Sequence, residues 1–309
     1  MDLTRRGALL GAGTVAASLL SSAAAATKRP QGISLAAWSF SGSYFQASKW
    51  KLLELPGILR DKLGITALEH VNQFFEAPTL TYLAKLKKAC TEAGVQSTIL
   101  MVDGEGGTAS PDLAERKRAA NAHRKWFDAA HELGCYAVRC NVYGGAAEWK
   151  NDKDLVSRAA ETMGMMLDYA KGSGVDLIVE NHGGASSDPD ILVALVKSVN
   201  HPNFGLLCDL GNWNKGDDRY ANVKKILPYA RGLSVKGTWG ASVDPAFDAE
   251  KLVKIALDGG YSGWWGLEVT PGRPAQGAAK RTGDEQFAEE VKTVLGAKAI
   301  VERVVLKKS

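Results

Sequence analysis

Sulfur is scarce in this chain. Four cysteines occur in 309 residues, and Cys90, Cys135, Cys140 and Cys208 show no C-x-x-C spacing. A cysteine metal or redox motif of that type is therefore excluded. Three of the four stand in or directly beside strand-like runs and read as buried free thiols. A basic stripe with interleaved aromatics is also missing. The net charge is +4, and much of the excess sits at the ends (Arg5, Arg6, Lys28 and Arg29, then Lys307 and Lys308), so nucleic acid is not an expected partner. Beyond the first thirty residues no run is long and apolar enough to cross a bilayer. No G-x-G-x-x-G follows the first strand-like run, which weighs against an open doubly wound sheet. What remains is ordinary globular material, 45% apolar and 23% charged. It is enough for a large core, and the length suits one α/β barrel.

The N-terminus reads "MDLTRRGALLGAGTVAASLLSSAAAATKRP". Arg5-Arg6 precede an apolar run from Gly7 to about Leu20, and small residues follow around Ala23–Ala26. Charged region, apolar region and A-x-A cleavage site thus occur in order. Adjacent arginines after Thr4 point to the twin-arginine export machinery. The competing reading is an N-terminal membrane anchor; moderate hydrophobicity and the alanine-rich end oppose it. Residues 1–27 are expected to be a twin-arginine-type signal peptide, 28–309 the folded domain, and the location the periplasm or extracellular space.

Eight β-prone apolar runs recur roughly 30–40 residues apart, from Gly32, Ile65, Val95, Tyr136, Val175, Phe204, Gly232 and Gly263. Between them apolar residues repeat at helical spacing, as in "TLTYLAKLKKACTEAG" and "ERKRAANAHRKWFDAAHELG", each closed by a glycine suited to a C-cap. Similar patterns lie in "KDLVSRAAETMGMMLDYAKGSG", "DPDILVALVKSVN", "FDAEKLVKIALDGG" and "DEQFAEEVKTVLGAKAIVERVV". Strands apolar on both faces, alternating with helices eight times, predict an α/β fold: a single-domain (β/α)8 TIM barrel.

In such a barrel the chemistry lies at the carboxyl ends of the strands. The residues there are polar on strand after strand. The first run ends near Trp38, Ser39 and Phe40; the second gives Glu69, His70 and Asn72; the third Asp103 and Glu105. Arg139, Asn141 and Tyr143 follow the fourth, and Glu180, Asn181 and His182 the fifth. Asp209 and Asn212 follow the sixth, Ser234, Lys236 and Trp239 the seventh, and Glu268 the eighth. In "VENHGGASSDP" the glycines let the chain turn away after three polar groups have entered the mouth. Glu180, Asp209 and Glu268 cannot share that mouth as bare charges: one takes a proton, or a divalent metal binds. Oxygen ligands suit Mn²⁺, Mg²⁺ or a similar hard ion. The plainer alternative pairs each carboxylate with a nearby cation such as Arg139 or Lys236. Trp38, Trp213, Trp239 and Trp264 or Trp265 either wall the pocket or fill the core. His123, His131 and His201 fall on helices or a helix-end loop and carry no expected role.

The stretches "VRCNVYGG", "IVENHGGASSDPD", "CDLGNW", "GLSVKGTW" and "GYSGWWGLEV" occur in this order. With them the sequence resembles the xylose-isomerase-like TIM-barrel superfamily, also called the sugar phosphate isomerase/epimerase or endonuclease-IV-like group. The resemblance covers the whole chain after residue 27. It implies a divalent metal held by a glutamate after strand five, an aspartate after strand six, a histidine on strand seven and a glutamate after strand eight. Glu180, Asp209 and Glu268 match. Where relatives read His-x-Lys this chain reads Ser234-Val235-Lys236, and Asn212 stands where many relatives carry histidine. Both departures oppose the DNA-repair members, which need a histidine-rich trinuclear zinc site.

The expected activity is a metal-dependent (Mn, Mg, Co or Zn) sugar or polyol isomerase or epimerase that abstracts a proton next to a carbonyl. Glu180 and Glu268 would exchange the proton, and Lys236 would stabilise the enediolate oxygen. Arg139, Asn141, His182, Asn212, Trp38 and Trp239 would contact the carbohydrate. A lyase or dehydratase on keto-sugars or keto-glycosides uses the same carbanion, and a degenerate carbohydrate-binding protein is the non-enzymatic alternative. Monomer and homo-oligomer both fit the sequence.

Overall fold

Every predicted apolar run becomes a strand. In the computed structural model these are β1 (Gly32–Ala36), β2 (Ala67–Val71), β3 (Gln96–Met101), β4 (Ala137–Cys140), β5 (Asp176–Glu180), β6 (Phe204–Asp209), β7 (Ala230–Val235) and β8 (Trp264–Leu267). All pair in parallel with their sequence neighbours, and β8 returns to β1, closing the barrel. The structure describes residues 32–145, 149–214, 216–237, 247–271 and 279–306. The expected signal peptide and Trp239 lie outside the described residues.

Helices follow the strands: α1 (Leu55–Ile58), α2 (Leu80–Ala93), α3 (Leu113–Leu133), α4 (Leu155–Ala170), α5 (Pro189–Val199), α6 (Arg219–Ile226), α7 (Ala249–Asp258) and α8 (Gly283–Val304). The N-termini of α2, α3, α5, α6 and α7 are set by side-chain caps: Thr79, Asp112, Asp188, Asp218 and Asp248 each accept a backbone N–H from two or three residues further on. Thr282 and Glu285 form a reciprocal capping box at α8. Among the described residues no helix is long and apolar enough to cross a membrane.

Two elements escaped the pattern reading. α1 is one turn between short 3₁₀ and π turns, with Pro56 in its first turn. α6, "RYANVKKI", has too few apolar residues to show a stripe.

The register decides which side chains enter the barrel. Side chains alternate across a strand, so residues two apart share a face. Ser34 pairs with Gly266, Ser234 with both Gly266 and Asp209, and Glu69 with Ala36. The space a side chain at Gly232 would need is filled by Leu207, Ile99 and Ile178, so the interior is packed. Trp264 shares its face with Gly266 and lies over Gly32. Trp265 faces the other way, edge-on to Tyr261 at 5.3 Å. Both are buried core. All four cysteines are free and buried, as read.

Candidate active site

Strand ends bring the acids together. Glu180 closes β5 and Asp209 closes β6, both fully buried, and Glu268 follows β8. One carboxylate oxygen from each lies within 4.8 Å of the others. Residues 88 positions apart along the chain thus meet because parallel strands three apart face each other across a closed barrel.

Two cations sit among them. Lys236 Nζ is 2.8 Å from Asp209 Oδ2 and 2.6 Å from Glu268 Oε1. Arg139 Nε is 3.0 Å from Glu180 Oε2, and its Nη1 donates to Asp103 Oδ1 at 2.6 Å. The expected cation pairs therefore exist, yet the acids still converge. The contacts at Glu180 Oε2 and Asp209 Oδ2 lack hydrogen-bond angles, and Glu268 Oε2 is buried without a hydrogen bond.

Neutral groups fix the geometry. Asn181 clamps the backbone of Asp209: it accepts from Asp209 N at 2.8 Å and donates to Asp209 O at 2.9 Å. Asp209 Oδ1 accepts the N–H groups of Gly211 and Asn212, at 2.7 and 2.8 Å. Asn212 Nδ2 donates to Glu180 Oε1 at 3.0 Å. Asn141 Nδ2 donates to Asp103 Oδ1 and to the Tyr143 hydroxyl, each at 2.7 Å. Trp38 Nε1 donates to Asp103 Oδ2 at 3.2 Å, while its ring meets Phe74 edge-on at 5.5 Å. His182 lies exposed at the mouth, its ring edge-on to Tyr143 at 6.4 Å. Gly183 and Gly184 follow at φ +91° and +57°, left-handed conformations that let the loop fold back.

The sequence-predicted residues Glu180, Asp209, Glu268, Lys236, Arg139, Asn141 and Asn212 form one connected set. Trp38 joins it through Asp103, and His182 stands above it. Trp213 is half-buried against the core. Asp103 proves central, whereas Glu105 only pins the loop, accepting from Trp126 Nε1 at 2.6 Å.

Sequence reasoning named Glu69 at the end of the second run but gave it no role in the site. It is 1% exposed, accepts from Ser34 Oγ at 2.6 Å, and fills the space above Gly266, where a Cβ would collide with its Oε1. Its other oxygen is buried without a partner. The available signal was a carboxylate beside His70 inside a short strand, "ALEHV".

Charge balance follows from burial. Among the described residues, five carboxyls (Glu69, Asp103, Glu180, Asp209 and Glu268) surround two cations, Arg139 and Lys236. Burial pushes Glu180 well above the ordinary carboxylate range; Arg139 opposes this, and Glu268 and Asp209 add to it. Burial likewise raises Glu69 to about 7, against the Ser34 hydrogen bond. Burial raises Asp103 too, but the charge and hydrogen bond of Arg139 outweigh it and leave it low. Burial favours loss of the Lys236 proton, yet Asp209 and Glu268 more than offset that and keep it a cation. Excess buried negative charge and carboxylate oxygens without hydrogen bonds are what a hard divalent cation needs, so the donor set fits one.

Solved structures share the fold. A D-allulose 3-epimerase from Methylomonas sp. in complex with D-allulose is 15% identical, with TM-score 0.69 over 90% of this chain and 98% of its own. An L-ribulose 3-epimerase is 15% identical, with TM-score 0.68 over 90% and 98%. A xylose isomerase-like TIM barrel protein from Mycobacterium smegmatis in complex with magnesium is 16% identical, with TM-score 0.57 over 86% and 97%. No curated protein sequence matches significantly. The family model described as "Xylose isomerase-like TIM barrel" matches residues 61–292. With that match spanning well over half its length and the closed barrel to support it, the chain belongs to the xylose isomerase-like TIM barrel family.

Proposed function

We propose that the protein is a metal-dependent isomerase or epimerase that acts on a sugar or polyol by removing the proton next to a carbonyl. The observation that carries this reading is the meeting of Glu180, Asp209 and Glu268 within 4.8 Å at the carboxyl end of the barrel. The structural likeness to sugar 3-epimerases, and to a relative solved with magnesium, supports it. Glu180, Asp209 and Glu268 would hold the ion. When bound, a divalent cation would polarise the carbonyl and a neighbouring hydroxyl and so acidify the C–H between them.

The chain's own groups do the rest. β5 and β8 deliver Glu180 and Glu268 from different sides of the barrel. One takes the proton and the other returns it, on the opposite face or the neighbouring carbon. Lys236, a cation 2.6 Å from Glu268, stabilises the enediolate oxygen. Arg139, Asn141, His182 and Asn212 orient hydroxyls, and the Trp38 face receives apolar C–H surface.

Deuterium exchange tests this. Wild-type protein with Mn²⁺ in D₂O should place deuterium next to the carbonyl of a responsive ketose. Glu268→Gln should lower exchange by roughly 10²–10⁴-fold with unchanged circular dichroism. Near-normal exchange by that variant rejects the role. Loss of a β-substituent instead of a rearranged sugar would make the protein a lyase.

A further inference from the structure

We infer that Ser234 turns the cation site into an all-oxygen one, built for a hard ion such as Mn²⁺ or Mg²⁺ rather than for Zn²⁺ or Co²⁺. The inference rests on the metal-dependent reading above and deepens it.

Ser234 lies on β7 with Asp209 as its partner on one side and Gly266 on the other, so it shares the inward face with Asp209. It is fully buried, and its Oγ has no hydrogen-bond partner. Leaving a buried hydroxyl unpaired is unfavourable. Such a group at the acid cluster points to a ligand that accepts it, directly or through one water. Gly266 beside it adds no side chain, and the Glu69 carboxyl occupies that space.

Among the described residues no histidine or cysteine joins the cluster. The chain has five histidines, and none of them joins the three acids. His70 Nε2 meets Ser97 Oγ at 2.8 Å, His123 Nδ1 meets Ala119 O at 2.8 Å, and His131 Nδ1 meets Ser173 O at 2.8 Å. His201 Nδ1 accepts from Asn203 N at 3.1 Å, and His182 stands exposed at the mouth. Cys208 neighbours Asp209 on β6 and therefore faces the other way. Lys236 Nζ is engaged by Asp209 Oδ2 at 2.8 Å and Glu268 Oε1 at 2.6 Å and adds no ligand of its own. What remains is carboxylate, hydroxyl and water. Imidazole favours zinc and its neighbours, whereas carboxylate, hydroxyl and water suit magnesium and manganese.

The experiment measures metal directly. Chelator-stripped protein is titrated with Mn²⁺, Mg²⁺, Zn²⁺ and Co²⁺ against a competing indicator, for wild type, Ser234→Ala and Ser234→His. Mn²⁺-loaded samples are examined by pulsed EPR for nitrogen coupling. Wild type should bind one Mn²⁺ with no ligand nitrogen. Ser234→Ala should weaken Mn²⁺ about tenfold or more, in line with groups that support a metal site. Ser234→His should raise the Zn²⁺-to-Mn²⁺ affinity ratio at least tenfold and introduce nitrogen coupling. Ligand nitrogen in the wild type, unchanged Mn²⁺ affinity in Ser234→Ala, or an unchanged ratio in a folded Ser234→His overturns the inference and leaves the metal-dependent reading standing. A wild type that binds none of the four ions overturns both.

Discussion

A carboxyl buried among other acids keeps its proton, and Glu69 does so because water cannot reach it. Its folded value is about 7 against an ordinary 4.5. Below the ordinary value both folded and unfolded chains are protonated, and nothing is lost. As pH climbs toward 7 only the unfolded chain ionises, so stability falls and stays lower above it. The linkage amounts to roughly 3 kcal/mol. Glu69→Gln should therefore flatten the decline of Tm between pH 5 and pH 8, measured with chelator present. A slope equal to the wild type's would show that this carboxyl is not the source. Glu180, Asp209 and Glu268 were legible in the sequence because each ends an apolar run, where a strand enters the mouth. Glu69 was named at a strand end but given no role, since its burial against Ser34 and Gly266 emerges only once the barrel closes. Ser234 was visible only as a departure from the family pattern; its unpaired hydroxyl belongs to the three-dimensional packing.

At the level of strands and helices, composition sets what can be read. α2, α3, α4, α5, α7 and α8 repeat apolar residues along one face and show themselves. α6 is short and polar, and α1 sits in a connection broken by Pro56 and Gly57, so neither gives a period. β8 carries a constraint that no pattern shows. At Gly266 a Cβ would collide with Glu69 Oε1 and stand 2.7 Å from the Leu233 carbonyl oxygen. The second contact is backbone, so a rotamer change cannot relieve it. Gly266→Ala should cost about 1–3 kcal/mol as overpacking, read as a lower urea midpoint. Combining it with Glu69→Ala should recover only part of the loss. Wild-type stability in the single variant would show that the carboxyl does not rest over that glycine.

Across the whole molecule, ring closure makes a small site depend on distant parts of the chain. Glu180, Asp209 and Glu268 come from the ends of three strands, and Arg139 on β4 and Asp103 after β3 brace them. An ion held by the three acids binds the folded chain and not the unfolded one, because only closure assembles its ligands. Binding then adds stability as RT ln(1 + [L]/Kd), about 2.7 kcal/mol at a hundredfold excess over Kd. In a protein of this size that raises Tm by several degrees. Lys236 already occupies the space between Asp209 and Glu268, so the ion must share both carboxylates with an ammonium, and binding is weaker for it. The rise in Tm should therefore need higher Mn²⁺ than a site without a resident cation, and chelator should reverse it. Asp209→Asn removes one ligand charge while keeping the oxygen that accepts from Gly211 and Asn212, so the backbone clamp survives. Its Tm should no longer respond to Mn²⁺. An equal response in that variant, or none in the wild type up to millimolar metal, would mean that the acids converge around Lys236 alone.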